Sequence, residues 1–347
     1  VSASHNPAED NGIKVFGARG EKLADESEER VEAAWRAHPE PLPPGPPLEV
    51  DPALENRYLA HLLAAAGALK LDGLALVLDC ANGGGSRIAP RILGRLGAHV
   101  VPLFCAPDGE NINQDCGSTH PQALQEAVRL HGADLGIALD GDGDRCLFVD
   151  EHGALVNGDA LLVLLARARI ERGGWRDPRI VATVMSNRGL HRALREVGVG
   201  VVTVGVGDRR VVEALKQEGL ALGGEQSGHI VFGDENAWIG DGTFTALRVL
   251  AALRARRARL SELAAPYRPF PQVLINVRVE QKPDLALVPA VVAEVRRIER
   301  ELGDDGRVLL RYSGTEPLAR VMVEGPDEGH IKSRAQELAN CIAREIG

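Results

Sequence analysis

Three carboxylates alternate with glycine in Asp140-Gly141-Asp142-Gly143-Asp144, and Arg145 follows at once. The run comes directly after an apolar stretch, Leu135 to Leu139, that reads as a strand. Glycine lets the backbone bend until all three carboxylates converge, and hard oxygen ligands in that number suit Mg²⁺. A calcium loop of the EF-hand type is the competing reading, because Glu151 falls twelfth from Asp140. It fails on two counts: the sixth position is Arg145 instead of Gly, and the flanks read as strands instead of helices. A plain polar turn stays open as the other alternative.

Three further loops carry chemically useful residues. Ser4-His5-Asn6-Pro7, with Asp10-Asn11-Gly12-Ile13-Lys14 behind it, is rich in turn formers. It also offers a nucleophilic Ser, with His5 and Lys14 as sources of positive charge. Gly223-Gly224-Glu225-Gln226-Ser227-Gly228-His229 reads either as a hairpin turn or as a clamp for sugar hydroxyls, with His229 free for proton transfer. Arg311-Tyr312-Ser313-Gly314-Thr315-Glu316-Pro317, with Arg320 three residues on, joins two strand-like runs. Two Arg, two hydroxyls and glycine-loop amides can satisfy a phosphate dianion, and a hairpin can do so as well as any other loop.

These loops need elements to hold them. After the acidic start Asp25-Glu26, residues Val31, Ala34, Trp35 and His38 fall at helical spacing. The run Pro39-Glu40-Pro41-Leu42-Pro43-Pro44-Gly45-Pro46-Pro47 reads as a stiff linker. A second helix carries Leu54, Tyr58, Leu62 and Ala65 on one face. From Leu74 the pattern becomes strand, helix, strand, helix, strand, which predicts an α/β sheet with parallel strands. A hairpin spans Cys146 to Val156 and turns at His152-Gly153. The alternation then repeats: helix Asp159 to Arg172, strand Ile180 to Met185, helix Leu190 to Val197, strand Val201 to Val206, helix Asp208 to Glu218. After a linker at Pro266 to Pro271 come strand Val273 to Val279, helix Ala286 to Leu302, strands Val308 to Tyr312 and Ala319 to Val323, and helix Ile331 to Ile346. That last group predicts a small α+β domain.

At 347 residues, 44% hydrophobic and 26% charged, the chain is long enough for several domains with real cores. A net charge of −9 argues against general nucleic-acid or membrane-surface binding. The five cysteines are scattered with no CxxC pair, so neither a disulfide framework nor a zinc site is expected, and a reducing cytoplasm fits. No apolar run reaches the length of a membrane span. The opening Val1-Ser2-Ala3-Ser4 shows neither Met nor a signal-peptide pattern and reads as a chain that begins inside a domain.

Taken together, the four loops resemble the α-D-phosphohexomutase superfamily along the whole chain. The segment SASHNP with NGIK resembles its phosphoserine loop, DGDGDR its Mg²⁺ loop, GEQSGH its sugar loop and RYSGTEP its phosphate loop. Gln226 is similar to the phosphoglucosamine mutase branch, where the phosphomannomutase/phosphoglucomutase branch tends to carry Met. Thr183-Val184-Met185-Ser186-Asn187 and Gly207-Asp208-Arg209 look like the same branch.

The resemblance implies three related α/β mixed-sheet domains and a smaller α+β carboxy-terminal domain around a central cleft. The boundaries would be a first-domain remnant at 1–48, then 49–153, 154–266 and 267–347. It implies that Ser4 is phosphorylated and that Asp140, Asp142 and Asp144 hold one Mg²⁺ together with the phosphoserine oxygen. Arg145 would lie beside Ser4, and Lys14 and His229 would move protons. Glu225, Gln226 and Ser227 would grip the sugar, while Arg311, Ser313, Gly314, Thr315 and Arg320 would hold the non-reacting phosphate. The implied reaction interconverts glucosamine 6-phosphate and glucosamine 1-phosphate through a glucosamine (or glucose) 1,6-bisphosphate, feeding amino-sugar and cell-wall precursor synthesis. The implied partner is a phosphosugar, not nucleic acid or membrane, and a homodimer is allowed. A phosphomannomutase or phosphoglucomutase, and a phosphosugar-binding fragment without activity, are the alternatives.

Overall fold

A computed structural model describes residues 2–18, 22–37, 45, 51–233, 235–313 and 316–347. His38, most of the proline-rich linker, Gly314 and Thr315 lie outside the described residues. Contacts divide the chain into two compact units, one of residues 1–184 and 202–264, the other of 185–201 and 265–347.

The first unit opens with the Ser4 loop and helix α1 (Asp25–Ala37), which buries no side chain. Helix α2 (Pro52–Ala66) starts where Asp51 caps it through Ala53 N at 2.8 Å and Pro52 supplies a fixed φ. Its buried residues are Leu59 and Leu62, whereas Leu54, expected on the same face as Leu62, is 59% exposed. The inner face is decided by packing on helix α8 (Gly242–Arg256), where His61 stacks on Phe244 and Tyr58 Oη donates to Asp241 at 2.9 Å.

Five strands follow: β1 (Ala75–Asp79), β2 (His99–Leu103), β3 (Leu135–Leu139), β4 (Cys146–Asp150) and β5 (Leu155–Val156). Their order is β2-β1-β3-β4-β5. The β1–β2 and β1–β3 pairs are parallel, while β3–β4 and β4–β5 are antiparallel, so the sheet is mixed and not wholly parallel. Helices α3 (Ile88–Arg95) and α4 (Gln122–His131) make the crossovers. Val77, Ala138 and Val149 pack with Leu124 and Val128 of α4 into a buried core.

A second sheet repeats the scheme. Helix α5 (Gly158–Arg172) leads to β6 (Arg179–Thr183), α6 (Arg188–Arg195), β7 (Gly200–Val204), α7 (Asp208–Glu218) and the hairpin β8 (Leu222–Gly224) and β9 (Ile230–Phe232). The order β7-β6-β8-β9 matches β2-β1-β3-β4, so the two sheets are built on one plan. Helices α8 and α9 (Leu260–Ala264) close this part.

In the second unit, β10 (Gln272–Arg278), β12 (Leu318–Glu324) and β11 (Arg307–Tyr312) form an antiparallel sheet in that order. Helices α10 (Pro289–Leu302) and α11 (Glu328–Ile346) pack on it around Val291, Ile298, Val321, Val323, Leu338 and Ile342. Helix α6 belongs to this unit. Asn187 ahead of it takes a hydrogen bond from Phe270 N at 2.8 Å and gives one to Phe270 O at 3.0 Å, and Arg188 N donates to the buried Glu324.

Candidate active site

Strand β3 is buried along its length and delivers Asp140 at its end, fully buried. Gly143, at φ 74°, turns the chain back, and its N–H bonds Asp140 O at 3.0 Å. One carboxylate oxygen from each of Asp140, Asp142 and Asp144 lies within 4.8 Å of the others. Burial first, and then the charges of Asp144 and Asp142, push Asp140 up to about 8. Its Oδ1 accepts Arg145 N at 3.0 Å, while Oδ2 has no hydrogen bond among the described residues and sees Arg145 Nε at 3.7 Å. Asp144 is also pushed up by burial, but the His229 imidazole and the charges of Lys14 and Arg145 outweigh that and hold it at about 2. Converging carboxylates, two of them with a buried oxygen that takes no hydrogen bond among the described residues, are a donor set that fits a hard divalent cation.

The Ser4 loop meets this cluster. A turn bonds Asn6 N to Ala3 O at 2.9 Å, and Ser4 stands at φ 52°. Its Oγ lies 3.5 Å from Asp142 Oδ1 and 3.4 Å from His5 Nδ1. Lys14 pairs with Asp142, and although burial works against its charge, that carboxylate raises its pKa. His5 behaves otherwise than expected: burial, then the Arg145 charge, lower its pKa, so at neutral pH it presents a neutral ring and not a cation.

The stretch expected either as a hairpin turn or as a sugar clamp forms the β8–β9 hairpin. Glu225 N bonds His229 O at 3.0 Å. The loop sits backbone to backbone on its neighbours, with Cys146 N on Gly228 O at 3.0 Å and Gly158 N on Gln226 O at 3.0 Å. The buried His229 places Nδ1 3.5 Å from Asp144 Oδ1. Burial lowers its pKa, but Asp144, Asp208 and Glu225 raise it above the usual value. Two side chains expected to face sugar already have protein partners. Gln226 Nε2 donates to the buried Asp159 at 3.1 Å, and Glu225 Oε1 accepts Gly207 N at 3.2 Å. Ser227 is half-buried between them and His229.

In the second unit, Arg311 and Arg320 are direct cross-strand partners of β11 and β12. Like charges facing each other across a ladder are destabilising, unless an anion lies between them. Arg320 Nε is buried without a hydrogen bond among the described residues. Ser313 is buried, its Oγ 3.4 Å from Glu316, and Lys282 Nζ donates to Ser313 O at 2.7 Å. Lys282 adds a third cation that sequence reasoning missed. It stands alone on the loop after β10, with no pattern to mark it. Asn113 and Asp159 were missed too, although the Asn111-Ile112-Asn113 turn and the Asn157 cap of α5 are visible in the sequence.

Comparison with known proteins agrees with this fold. Residues 1–41, 56–153 and 157–270 match the phosphoglucomutase/phosphomannomutase alpha/beta/alpha domains I, II and III, and 274–341 match the C-terminal domain. The phosphoglucosamine mutase of Citrifermentans bemidjiense is 46% identical over 354 residues, covering 100% of this chain and 78% of that protein. That of Mycobacterium marinum is 50% identical over 348 residues, covering 99% and 77%. A phosphoglucomutase/phosphomannomutase family protein from Burkholderia thailandensis superposes with a TM-score of 0.77 at 25% identity, over 99% of this chain and 75% of that one. The fold is also that of Aspergillus fumigatus N-acetylphosphoglucosamine mutase solved with GlcNAc-6P and magnesium, at a TM-score of 0.74, 21% identity, and coverage of 100% and 88%.

Proposed function

The chain belongs to the phosphoglucosamine mutase branch of the phosphoglucomutase/phosphomannomutase family, and we propose that it interconverts glucosamine 6-phosphate and glucosamine 1-phosphate with Ser4 as the phosphoryl carrier. The observation that carries this reading is the meeting of two loops far apart in sequence, with Ser4 Oγ 3.5 Å from Asp142 Oδ1. Phosphoryl transfer asks for alignment and charge neutralisation more than for covalent help. Asp140, Asp142 and Asp144, with the phosphoserine oxygen, are the groups to hold Mg²⁺, which when bound supplies that neutralisation.

The chain's own residues do the rest. Phospho-Ser4 gives its phosphoryl group to the free hydroxyl of the sugar phosphate, forming a 1,6-bisphosphate. The bisphosphate reorients, and Ser4 takes back the phosphoryl group from the other position. Lys14 and His229 are both favoured in the protonated form by carboxylate partners, so they can return a proton to the Ser4 oxygen as it leaves. While one of the two does so, the other, in its deprotonated form, takes the proton of the attacking sugar hydroxyl, and in the return step the two exchange roles. Arg145 steadies Asp140 and lies close enough to His5 to shift its titration. Glu225, Gln226 and Ser227 bind the sugar. Arg311, Ser313, Gly314, Thr315 and Arg320 bind the phosphate that does not react, and a symmetric pair of arginines suits a site that must accept either end of the sugar. Five cysteines without a disulfide suit a reducing cytoplasm, and no helix among the described residues is long and apolar enough to cross a membrane.

The test is direct. Incubation with glucose 1,6-bisphosphate and Mg²⁺ should add about 80 Da, one phosphoryl group, to the Ser2–Lys14 segment, and chelation should stop it. A label that persists in Ser4→Ala, or none in the wild type, overturns the assignment.

A further inference from the structure

We propose that Asn113 is a positioning residue for phosphoryl transfer, clamping the peptide on both sides of His5 and so fixing Ser4 against the aspartate loop. The proposal rests on the reading of Ser4 as phosphoryl carrier. The Ser4 loop is closed at its base by Ser2 and Gly12, whose N–H and C=O groups exchange hydrogen bonds of 2.9 Å. At its tip Ser4 stands at φ 52°, a region that residues with a side chain seldom occupy and keep only where the surroundings impose it.

Asn113 is what imposes it. Its Nδ2 donates to Ser4 O at 2.8 Å and to Asn6 O at 2.7 Å. An amide nitrogen has two hydrogens, and here each is spent on one of the two carbonyls that bracket His5. The asparagine is itself held firmly. It is 7% exposed, sits at φ 58°, and its own N–H bonds Ala81 O at 2.9 Å. Its loop follows β2, so the clamp is anchored on the sheet and not on the Ser4 segment.

The clamp also reaches the carboxylate loop. A Cβ on Gly141 would come within 2.7 Å of Asn113 Nδ2 and 2.8 Å of Ile112 Cδ1, and would run into Ser4 O. The Ser4–His5 peptide therefore lies directly on the residue between Asp140 and Asp142. Seated there, Ser4 Oγ faces Asp142, and the distance between nucleophile and carboxylates is set by Asn113 and Gly141 together. Transfer rates fall steeply with small errors in such a distance.

Asn113→Leu and Asn113→Asp keep the approximate size of the side chain and remove both donors. Hydrogen exchange and the rate of Ser4 labelling by glucose 1,6-bisphosphate decide the matter together. Exchange in residues 2–14 should rise about tenfold, while strands β1 and β3 stay as protected as in the wild type. The labelling rate should fall about 10- to 100-fold, with the half-saturating bisphosphate concentration changed less than about threefold. A change in rate without a change in apparent binding is what positioning predicts and a general loss of structure does not. If Asn113→Leu does not fold, Asn113→Asp supplies the same readouts. Wild-type protection of the loop in a folded variant overturns the proposal, and so does a mobile loop that still labels at the wild-type rate. If the wild-type chain takes no label, the proposed function fails, and loop exchange alone decides whether Asn113 is the clamp.

Discussion

Gly158→Ala should unseat the β8–β9 hairpin through its backbone while leaving every side chain assigned to binding or catalysis in place. Gly158 is the first residue of α5, and its backbone lies against the turn between β8 and β9. A Cβ there would stand 2.8 Å from Gly228 N and 2.9 Å from Gln226 O, and would overlap Glu225 O. All three are backbone atoms, so no flexible side chain can step aside. Overpacking of this kind costs about 1–3 kcal/mol. Relieving it means parting the Gly158 N to Gln226 O bond of 3.0 Å and straining the 3.1 Å bond from Gln226 to Asp159. The first is worth about 1 kcal/mol and the second, to a charged acceptor, about 1.5–3 kcal/mol. Whichever way the strain is shared, the loss should be about 1–4 kcal/mol. Gly94 is the matched control. It lies in α3 with nothing within 4 Å of an added Cβ, so Gly94→Ala should be neutral or gain up to about 1 kcal/mol. Urea denaturation of the two variants beside the wild type reads both signs in one experiment. A Gly158→Ala loss below about 0.5 kcal/mol would mean that the hairpin does not depend on this contact, and the reasoning would fail.

Two other outcomes are expected. His191 in α6 is pushed down to about 4 by burial first and then by Arg188, Arg307 and Arg195. Its folded pKa lies below its unfolded value of 6.5, so its contribution is intact above pH 6.5 and is lost as pH falls towards 4. The second unit should therefore lose on the order of 2 kcal/mol across that window, and His191→Gln should flatten the dependence in denaturation measured at pH 7 and pH 4.5. Gln226→Met removes the donor to Asp159 and leaves no amide acceptor for a 2-amino group. The ratio of kcat/KM for glucosamine phosphate over glucose phosphate should then fall about 10- to 150-fold, and an unchanged ratio would leave Gln226 as a prop for the hairpin.

Most elements were legible because their apolar period and caps agree. Helix α7 has the bounds expected from Asp208 to Glu218, and β3 those expected from Leu135 to Leu139. What was missed follows one physical pattern. Helix α8 is buried from Gly242 through Leu247 and again at Val249, Leu250, Ala252 and Leu253, so it has no polar face to give a 3.6-residue stripe. Its only local signal is Asp241, whose Oδ1 takes Phe244 N at 2.8 Å. Strands β8 and β9 are three residues each, and Gly223 and Gly224 look like a turn because close approach, not β propensity, selects them. In α2 two overlapping stripes compete, and tertiary packing on α8 chose Leu59 and Leu62 over Leu54.

The motif residues were legible by type, but their partners were not, and the partners change what the motifs mean. Asp140, Asp142 and Asp144 could be named from spacing alone. Only the fold shows Asp140 held near 8 while Asp144 falls to about 2, a separation that arises because one carboxylate is buried among like charges and the other leans on His229. The Arg311 and Arg320 pair shows the same logic with the sign reversed, since a ladder makes two arginines cross-strand partners, and although Arg320 pairs with Glu316 at 3.5 Å, its Nε stays buried without a bond among the described residues. Neither arrangement is a good way to stabilise a protein by itself. Each becomes favourable once a ligand of opposite charge arrives, a divalent cation for the carboxylates and a dianion for the arginines. On the proposed function, the electrostatic strain in each loop matches the charge of its ligand, Mg²⁺ at the carboxylates and a sugar phosphate at the arginines.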